Sequence, residues 1–223
     1  MSKNIFITAT GTDVGKTYIS ALIVKKMREA GLNCGYFKPV LSGVVEIEGK
    51  LKESDPNYVI NTAKIPTEAD KCVSYWWKEA VSPHLAAQRA GVNINIDKIK
   101  QDFERIQNQY DYVLVEGAGG ITCPLRLENN EKYLLKDLIK ELGTNIIIVA
   151  DGGLGTINST LLTVEYARHN NIHTEGIILN NFDPNNFMHQ DNLKQVEYLT
   201  GVKVISTVEK NQCDINLLKE FFK

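Results

Sequence analysis

Gly15, Lys16 and Thr17 follow a short apolar segment, Ile5–Ile7, and precede a helical pattern running from Tyr18 to Ala30, with apolar residues at Ile19, Leu22, Ile23 and Met27. A Gly-Lys-Thr triplet between a strand and a helix is the core of a phosphate loop. Backbone N–H groups and the positive end of the helix dipole attract phosphate there, the lysine reaches the terminal phosphates, and the threonine hydroxyl can ligate Mg²⁺. The strict pattern asks for glycine at position 10, where this chain has Thr10 followed by Gly11. The loop, Thr10 to Thr17, is therefore a variant that still predicts a bound nucleoside triphosphate.

Other chemically capable residues fall at the ends of apolar runs. Lys38, in Lys38-Pro39-Val40-Leu41-Ser42-Gly43, is a poor core residue and a good anion ligand, although a lysine snorkelling from a strand end gives the same pattern. Glu116 closes the run Tyr112–Val115 and opens Gly117-Ala118-Gly119-Gly120. A carboxylate fixed there is a hard oxygen ligand for Mg²⁺, and the glycines let amides approach a phosphate or oxyanion. Asp55, in Glu53-Ser54-Asp55-Pro56, reads by itself as a helix N-cap. Asp151-Gly152-Gly153-Leu154-Gly155-Thr156 repeats the glycine-rich theme before a helix. Asn180-Asn181 is either a turn or a donor–acceptor pair for an adenine edge.

The elements that must position these groups are βα units. Apolar runs recur at 5–7, 35–37, 112–115, 145–150, 176–179 and 202–208, most of them separated by helical patterns. Runs such as Ile146–Val149 are apolar throughout, as in strands covered by helices on both faces. This predicts an α/β fold with a doubly wound, mainly parallel sheet, a P-loop NTPase-like single domain over residues 1–223. Ligands of such sheets lie beyond the carboxyl ends of the strands. Gly31 is expected to cap the first helix, Ser82-Pro83 to start another, Asp97 to cap a helix over 98–109, and Asp214 to precede a terminal helix. The segment from Ser42 to Ser54 is a loop or a hairpin.

Composition narrows the function. The 223 residues carry a formal net charge of −2 with scattered lysines and arginines, which lacks the footprint of a nucleic-acid binder and favours small-molecule partners. Cys34, Cys72, Cys123 and Cys213 form no paired motif, which argues against a zinc site or a disulfide framework and fits a reducing cytoplasm. No apolar run approaches the roughly 18 residues of a membrane helix, so no membrane partner is expected. Ser82 and His84 flank Pro83 at a helix start, a placement not expected to form a nucleophile and its base; Ser82 reads as a cap and His84 as a candidate pocket residue. His169, His173 and His189 show no metal spacing and are expected on the surface.

In combination, Gly11 to Thr17, Lys38-Pro39-Val40 with Ser42-Gly43, Ser54-Asp55, Ser82-Pro83-His84, Glu116 to Gly120 and Asn180-Asn181 resemble the ATP-dependent dethiobiotin synthetases, in order and over most of the chain. The resemblance implies a ligase of biotin biosynthesis that joins CO₂ to 7,8-diaminononanoate with MgATP, closes the cyclic urea of dethiobiotin, and releases ADP and phosphate. It implies that Lys16 and Lys38 hold the transferring phosphoryl group and the carbamate. Thr12, with a catalytic part, and Ser42 contact the diamine carbamate. Thr17, Asp55 and Glu116 bind Mg²⁺. Nucleotide contacts come from Asp13, Val14, Gly15, Lys16, Thr17, Tyr18, Asp55, Glu116, Gly117, Ala118, Gly119, Asn180 and Asn181. Gly117 to Gly119 supply an amide cradle that also meets the substrate. The helix start at 153–156, with Leu154 and Gly155, receives the substrate carboxylate across a homodimer interface. The chain departs from the family pattern at Ala9, where members carry glycine, and at Asp13, where they carry glutamate.

The implied chemistry suits these residues. Phosphoryl transfer depends on positioning and positive charge more than on a strong base, and two lysines, Mg²⁺ and amides supply both. The alternative reading is a partition-type regulatory P-loop ATPase. That family usually has an extra lysine early in the loop, where this chain has Gly11.

Overall fold

The computed structural model describes residues 3–128 and 131–217. In chain order the elements are β1 (Lys3–Ala9), α1 (Lys16–Glu29), β2 (Cys34–Ser42), β3 (Val45–Ile47), β4 (Lys50–Lys52), α2 (Asp55–Ala63), β5 (Val73–Trp77) and α3 (Pro83–Arg89). There follow α4 (Ile96–Gln107), β6 (Tyr112–Glu116), β7 (Pro124–Glu128), β8 (Glu131–Leu134) and α5 (Leu135–Glu141). The chain continues through β9 (Asn145–Asp151), α6 (Thr156–His169), β10 (Thr174–Asn180), α7 (Phe187–Thr200) and β11 (Val204–Val208).

Among the described residues, seven strands form one sheet in the order β11-β10-β9-β1-β6-β2-β5, with every neighbouring pair parallel. Strand alternation sorts the apolar residues into two layers. Ile7, Tyr36, Leu114, Ile147 and Val149 face a core shared with Ile19 and Ile23 of α1 and Val59 of α2. Phe6, Phe37, Val113, Val115, Ile146 and Ile148 face the other layer, with Ile99 and Phe103 of α4, Leu138 of α5, Val164 of α6 and Val196 of α7. Both faces are covered, so the strands read as continuous apolar runs rather than alternating ones. This is the doubly wound α/β architecture expected from the strand spacing.

Several boundaries differ from expectation. Asn95, not Asp97, caps α4: its Oδ1 accepts from the Lys98 amide at 3.2 Å, and Asp97 sits inside the first turn, where a negative charge favours the helix dipole. Ala30 is the C-cap of α1, and Gly31 takes the left-handed position beyond it at φ 82°. The last strand begins at Val204. Two features had no clear signal: β5, an edge strand parallel to β2, and the antiparallel pair β7–β8. The 42–54 segment contains the β3–β4 hairpin. Asp214 pairs with Lys26 at 2.8 Å, and the chain is not helical from 212 to 217; the terminal helix expected beyond lies outside the described residues.

Candidate active site

The phosphate loop leaves β1 where Thr10 N–H donates to Val149 of β9 at 3.0 Å. Gly15 is the N-cap of α1 in the left-handed conformation at φ 91°, with no side-chain cap. Among the described residues, none of the amides from Gly11 to Tyr18 donates to a backbone carbonyl. Such a run of orphan donors at a helix N-terminus is an anion cradle. Asp13 stands at φ 60°, a conformation that aspartate tolerates better than most residues, glutamate included. Gly15 is required twice over: its φ is positive, and a Cβ would lie 2.2 Å from Asn180 Nδ2. Asn180, at the carboxyl end of β10, donates that nitrogen to Val14 O at 3.0 Å, while its buried Oδ1 has no partner. Its neighbour Asn181 turns away and donates to Asp151 Oδ2 at 2.7 Å.

Lys16, 8% exposed, donates to Gly11 O at 3.1 Å. Burial and then the nearby Lys38 ammonium hold it below the ordinary lysine value. Lys38 is buried between two carboxylates, its Nζ 2.6 Å from Glu116 Oε1 and 2.8 Å from Asp55 Oδ2. Burial works against its charge, but Glu116 and Asp55 outweigh it and hold Lys38 above the usual lysine value. Conversely, burial opposes ionisation of Asp55, yet Lys38 keeps that carboxyl below its usual value. Thr17 Oγ donates to the same Glu116 Oε1 at 2.8 Å. The Thr17 hydroxyl and the Asp55 and Glu116 carboxylates thus lie together beside the Lys38 ammonium. That donor set fits Mg²⁺, completed by phosphate oxygens and water.

These groups line a cavity of 480 Å³ with Thr12, Asp13, Gly15, Val40, Leu41, Ser42, Ala118 and Gly119. A larger, mostly apolar cavity of 640 Å³ lies at the opposite end of the strands, among Ile5, Met27, Leu114 and Ile205, away from the lysine–carboxylate cluster.

Not every expected residue joins the cavity in its expected role. Gly117 donates its N–H to Ile7 O at 2.9 Å, and its carbonyl accepts from Lys38 at 3.3 Å, so its amide is not free to cradle an anion. Ala118 and Gly119 keep amides without a backbone acceptor among the described residues. Ser42 lines the cavity but donates to Val81 O at 2.6 Å. Tyr18 donates to Gln212 O and stacks on Tyr58 at 6.4 Å. Leu154 and Gly155, at the start of α6, are not among the cavity's lining residues; Leu154 is 92% exposed. Asp55 is the first residue of α2, and Ser54 is its cap, so the N-cap reading of Asp55 fails.

Ser82 occupies the N-cap position of α3 and Pro83 its first turn, as expected, but the Ser82 hydroxyl makes no cap bond and lies 3.0 Å from His84 Nδ1. The two are therefore in contact, but neither lines the lysine–carboxylate cavity. His189 is not a plain surface residue, since its ring accepts from Asp183 N–H at 3.0 Å and packs against Phe182. One residue of the site escaped sequence reading. Tyr36, fully buried, donates its hydroxyl to Glu116 Oε2 at 3.0 Å. The available signal was its place two residues before Lys38 on the same strand face.

Comparisons with known proteins identify the relatives of this chain. A family model described as an AAA domain matches residues 3–213. A protein of Clostridium botulinum (strain Alaska E43 / Type E3) named ATP-dependent dethiobiotin synthetase BioD is 50% identical over 225 residues, covering 100% of this chain and 99% of the relative. A protein of the same name from Brachyspira hyodysenteriae is 52% identical over 208 residues, covering 93% and 92%. Solved structures share the fold alone. The MinD cell division protein of Aquifex aeolicus has a TM-score of 0.54 at 15% identity, covering 94% of this chain and 83% of its own. A ParA family ATPase of Chlorobium tepidum has 0.53 at 14%, covering 94% and 85%. A phosphate loop facing a buried lysine and two carboxylates, on a chain half identical to named synthetases over its full length, makes this protein a member of the ATP-dependent dethiobiotin synthetase family of ligases.

Proposed function

We propose that the 223-residue chain, as one domain, uses MgATP and CO₂ to close the cyclic urea of dethiobiotin on 7,8-diaminononanoate, releasing ADP and phosphate. The observation that carries this reading is the placement of Lys38 between Asp55 and Glu116, across a 480 Å³ cavity from the amides of the phosphate loop. An amine adds to CO₂ to give a carbamate, the carbamate oxygen takes the terminal phosphoryl group of ATP, and the second amine displaces phosphate from the mixed anhydride. In this scheme Lys16 and the loop amides hold the phosphates, while Lys38, Thr12 and the Ala118 and Gly119 amides hold the carbamate. Thr17, Asp55 and Glu116 hold Mg²⁺, which supplies charge neutralisation on the phosphates. The free Oδ1 of Asn180 is an acceptor for the amino group of a nucleobase.

We infer that the substrate carboxylate is received by a second protomer. A homodimer would bring it the helix start at 154–155, and the exposure of Leu154 (92%), Phe187 (85%) and Tyr198 (83%) supports such an interface. No helix among the described residues is long and apolar enough to cross a membrane. The free cysteines are in keeping with a reducing cytoplasm.

The test is ADP and phosphate release by purified protein with bicarbonate and a panel of vicinal diamino acids. Release that requires the diamine, with formation of the cyclic urea, is the expected result. Phosphate release that ignores the diamine would support a regulatory ATPase instead.

A further inference from the structure

Glu116 is fully buried, yet its two oxygens have different partners. Oε1 faces Lys38 and Thr17; Oε2 accepts from Tyr36. The division follows from strand register. β2 and β6 are parallel, Tyr36 lies opposite Leu114, and Tyr36 and Lys38 project from one face of β2 towards the Glu116 side of β6. Tyr36 therefore meets the carboxylate from within the sheet, and Lys38 meets it from the cavity end. Among the described residues, no other donor reaches Oε2. The terminal torsion of a glutamate is soft, so a buried carboxylate is oriented by its partners rather than by its own stem.

We propose that Tyr36 is a positioning residue for the reaction, its hydroxyl anchoring Glu116 Oε2 so that Oε1 is presented to the cation shared with Thr17 and Asp55. This rests on the reading of Glu116 as a Mg²⁺ ligand and extends it to the group that aims the ligand. Partners of metal-binding carboxylates tune metal affinity by fixing the ligand's orientation. A merely structural tyrosine would instead change stability and leave metal affinity unmoved.

The test uses the full chain with ADP bound, and Mn²⁺ as the probe ion followed by electron paramagnetic resonance. Wild type, Tyr36→Phe and Glu116→Gln are titrated and melted side by side. Tyr36→Phe, which keeps the buried ring, is expected to weaken Mn²⁺ binding about tenfold, and excess Mg²⁺ should restore most of its turnover. Glu116→Gln should weaken Mn²⁺ binding at least as much. If Tyr36→Phe stays within about twofold of wild type while Glu116→Gln does not, the positioning role is overturned and the ligand reading survives. If neither variant weakens binding, the ligand reading falls and the positioning role with it. A Tyr36→Phe chain that does not fold also overturns the proposal, because the hydroxyl would then be a folding element.

Discussion

Lys38 and Glu116 form an ion pair inside the protein, with Nζ 2.6 Å from Oε1 and the two side chains 4% and 0% exposed. Neighbouring parallel strands bring them together, and Asp55, from the start of α2, closes on the same ammonium at 2.8 Å. One lysine thus holds two carboxylates that would otherwise repel each other in a low-dielectric site.

Removing that cation has two expected effects. Lys38→Met leaves Glu116 buried without a counter-charge, and the folded state should lose about 3–5 kcal/mol in denaturant titrations. Added Mg²⁺ should stabilise this variant more than wild type, because the carboxylates regain a cation. Turnover should fall by at least about 100-fold, and wild-type-like turnover would take Lys38 out of the reaction.

Lys16 poses the opposite case. Burial and Lys38 hold its pKa below 10.5, so its charge is a burden on the folded protein at neutral pH. By linkage, that penalty lifts as pH rises from the folded value towards 10.5. Lys16→Met should therefore be more stable than wild type without nucleotide, by about 0.5–2 kcal/mol, while losing turnover. Calorimetry showing a less stable variant would refute this.

The Lys38–Asp55 pair sets a pH window. The Asp55 carboxyl, despite burial, is held below 3.8 by Lys38, so its contribution is fully present above the unfolded value and is lost as pH falls through the lower folded one. Lys38, despite burial, is held above 10.5 by Glu116 and Asp55, so its contribution is fully present below 10.5 and is lost as pH rises through the higher folded value. Stability curves of wild type minus Asp55→Asn should be flat from about pH 5 to 9 and narrow below that range.

Gly15→Ala tests the contact between the phosphate loop and Asn180. A methyl group would meet Asn180 Nδ2 at 2.2 Å on a residue with φ 91°. The left-handed backbone alone costs about 1–2 kcal/mol, and displacement of Asn180 adds to it. Nucleotide affinity measured by calorimetry should drop along with stability; a variant that binds ATP normally would show that the contact is dispensable.

Ser82→Ala distinguishes contact from catalysis. Ser82 and His84 touch at 3.0 Å but neither lines the lysine–carboxylate cavity, so turnover should stay within about twofold, far from the loss expected of a nucleophile.

Much of this was legible in the residues. The phosphate loop, the strand-terminal Lys38 and Glu116, and the apolar runs of β1, β6 and β9 depend on local pattern: strand, glycine turn, helix, and burial on both faces. What was not legible depends on distant partners. β5 is an edge strand whose pairing with β2 gives it its place, and the capping preference of Asn95 over Asp97 turned on which side chain reached the Lys98 amide.

The chain order by itself determined that a triphosphate-binding loop would open a parallel sheet and that charged groups would gather at the strand ends. Only the tertiary structure decided how those groups divide their work. Tyr36 meets Glu116 across 80 residues of sequence, and Asn180 meets Val14 across 166. The reason is physical: a strand's own periodicity sets which face a side chain takes, but its partner is set by sheet order and register, which arise when separate βα units pack together.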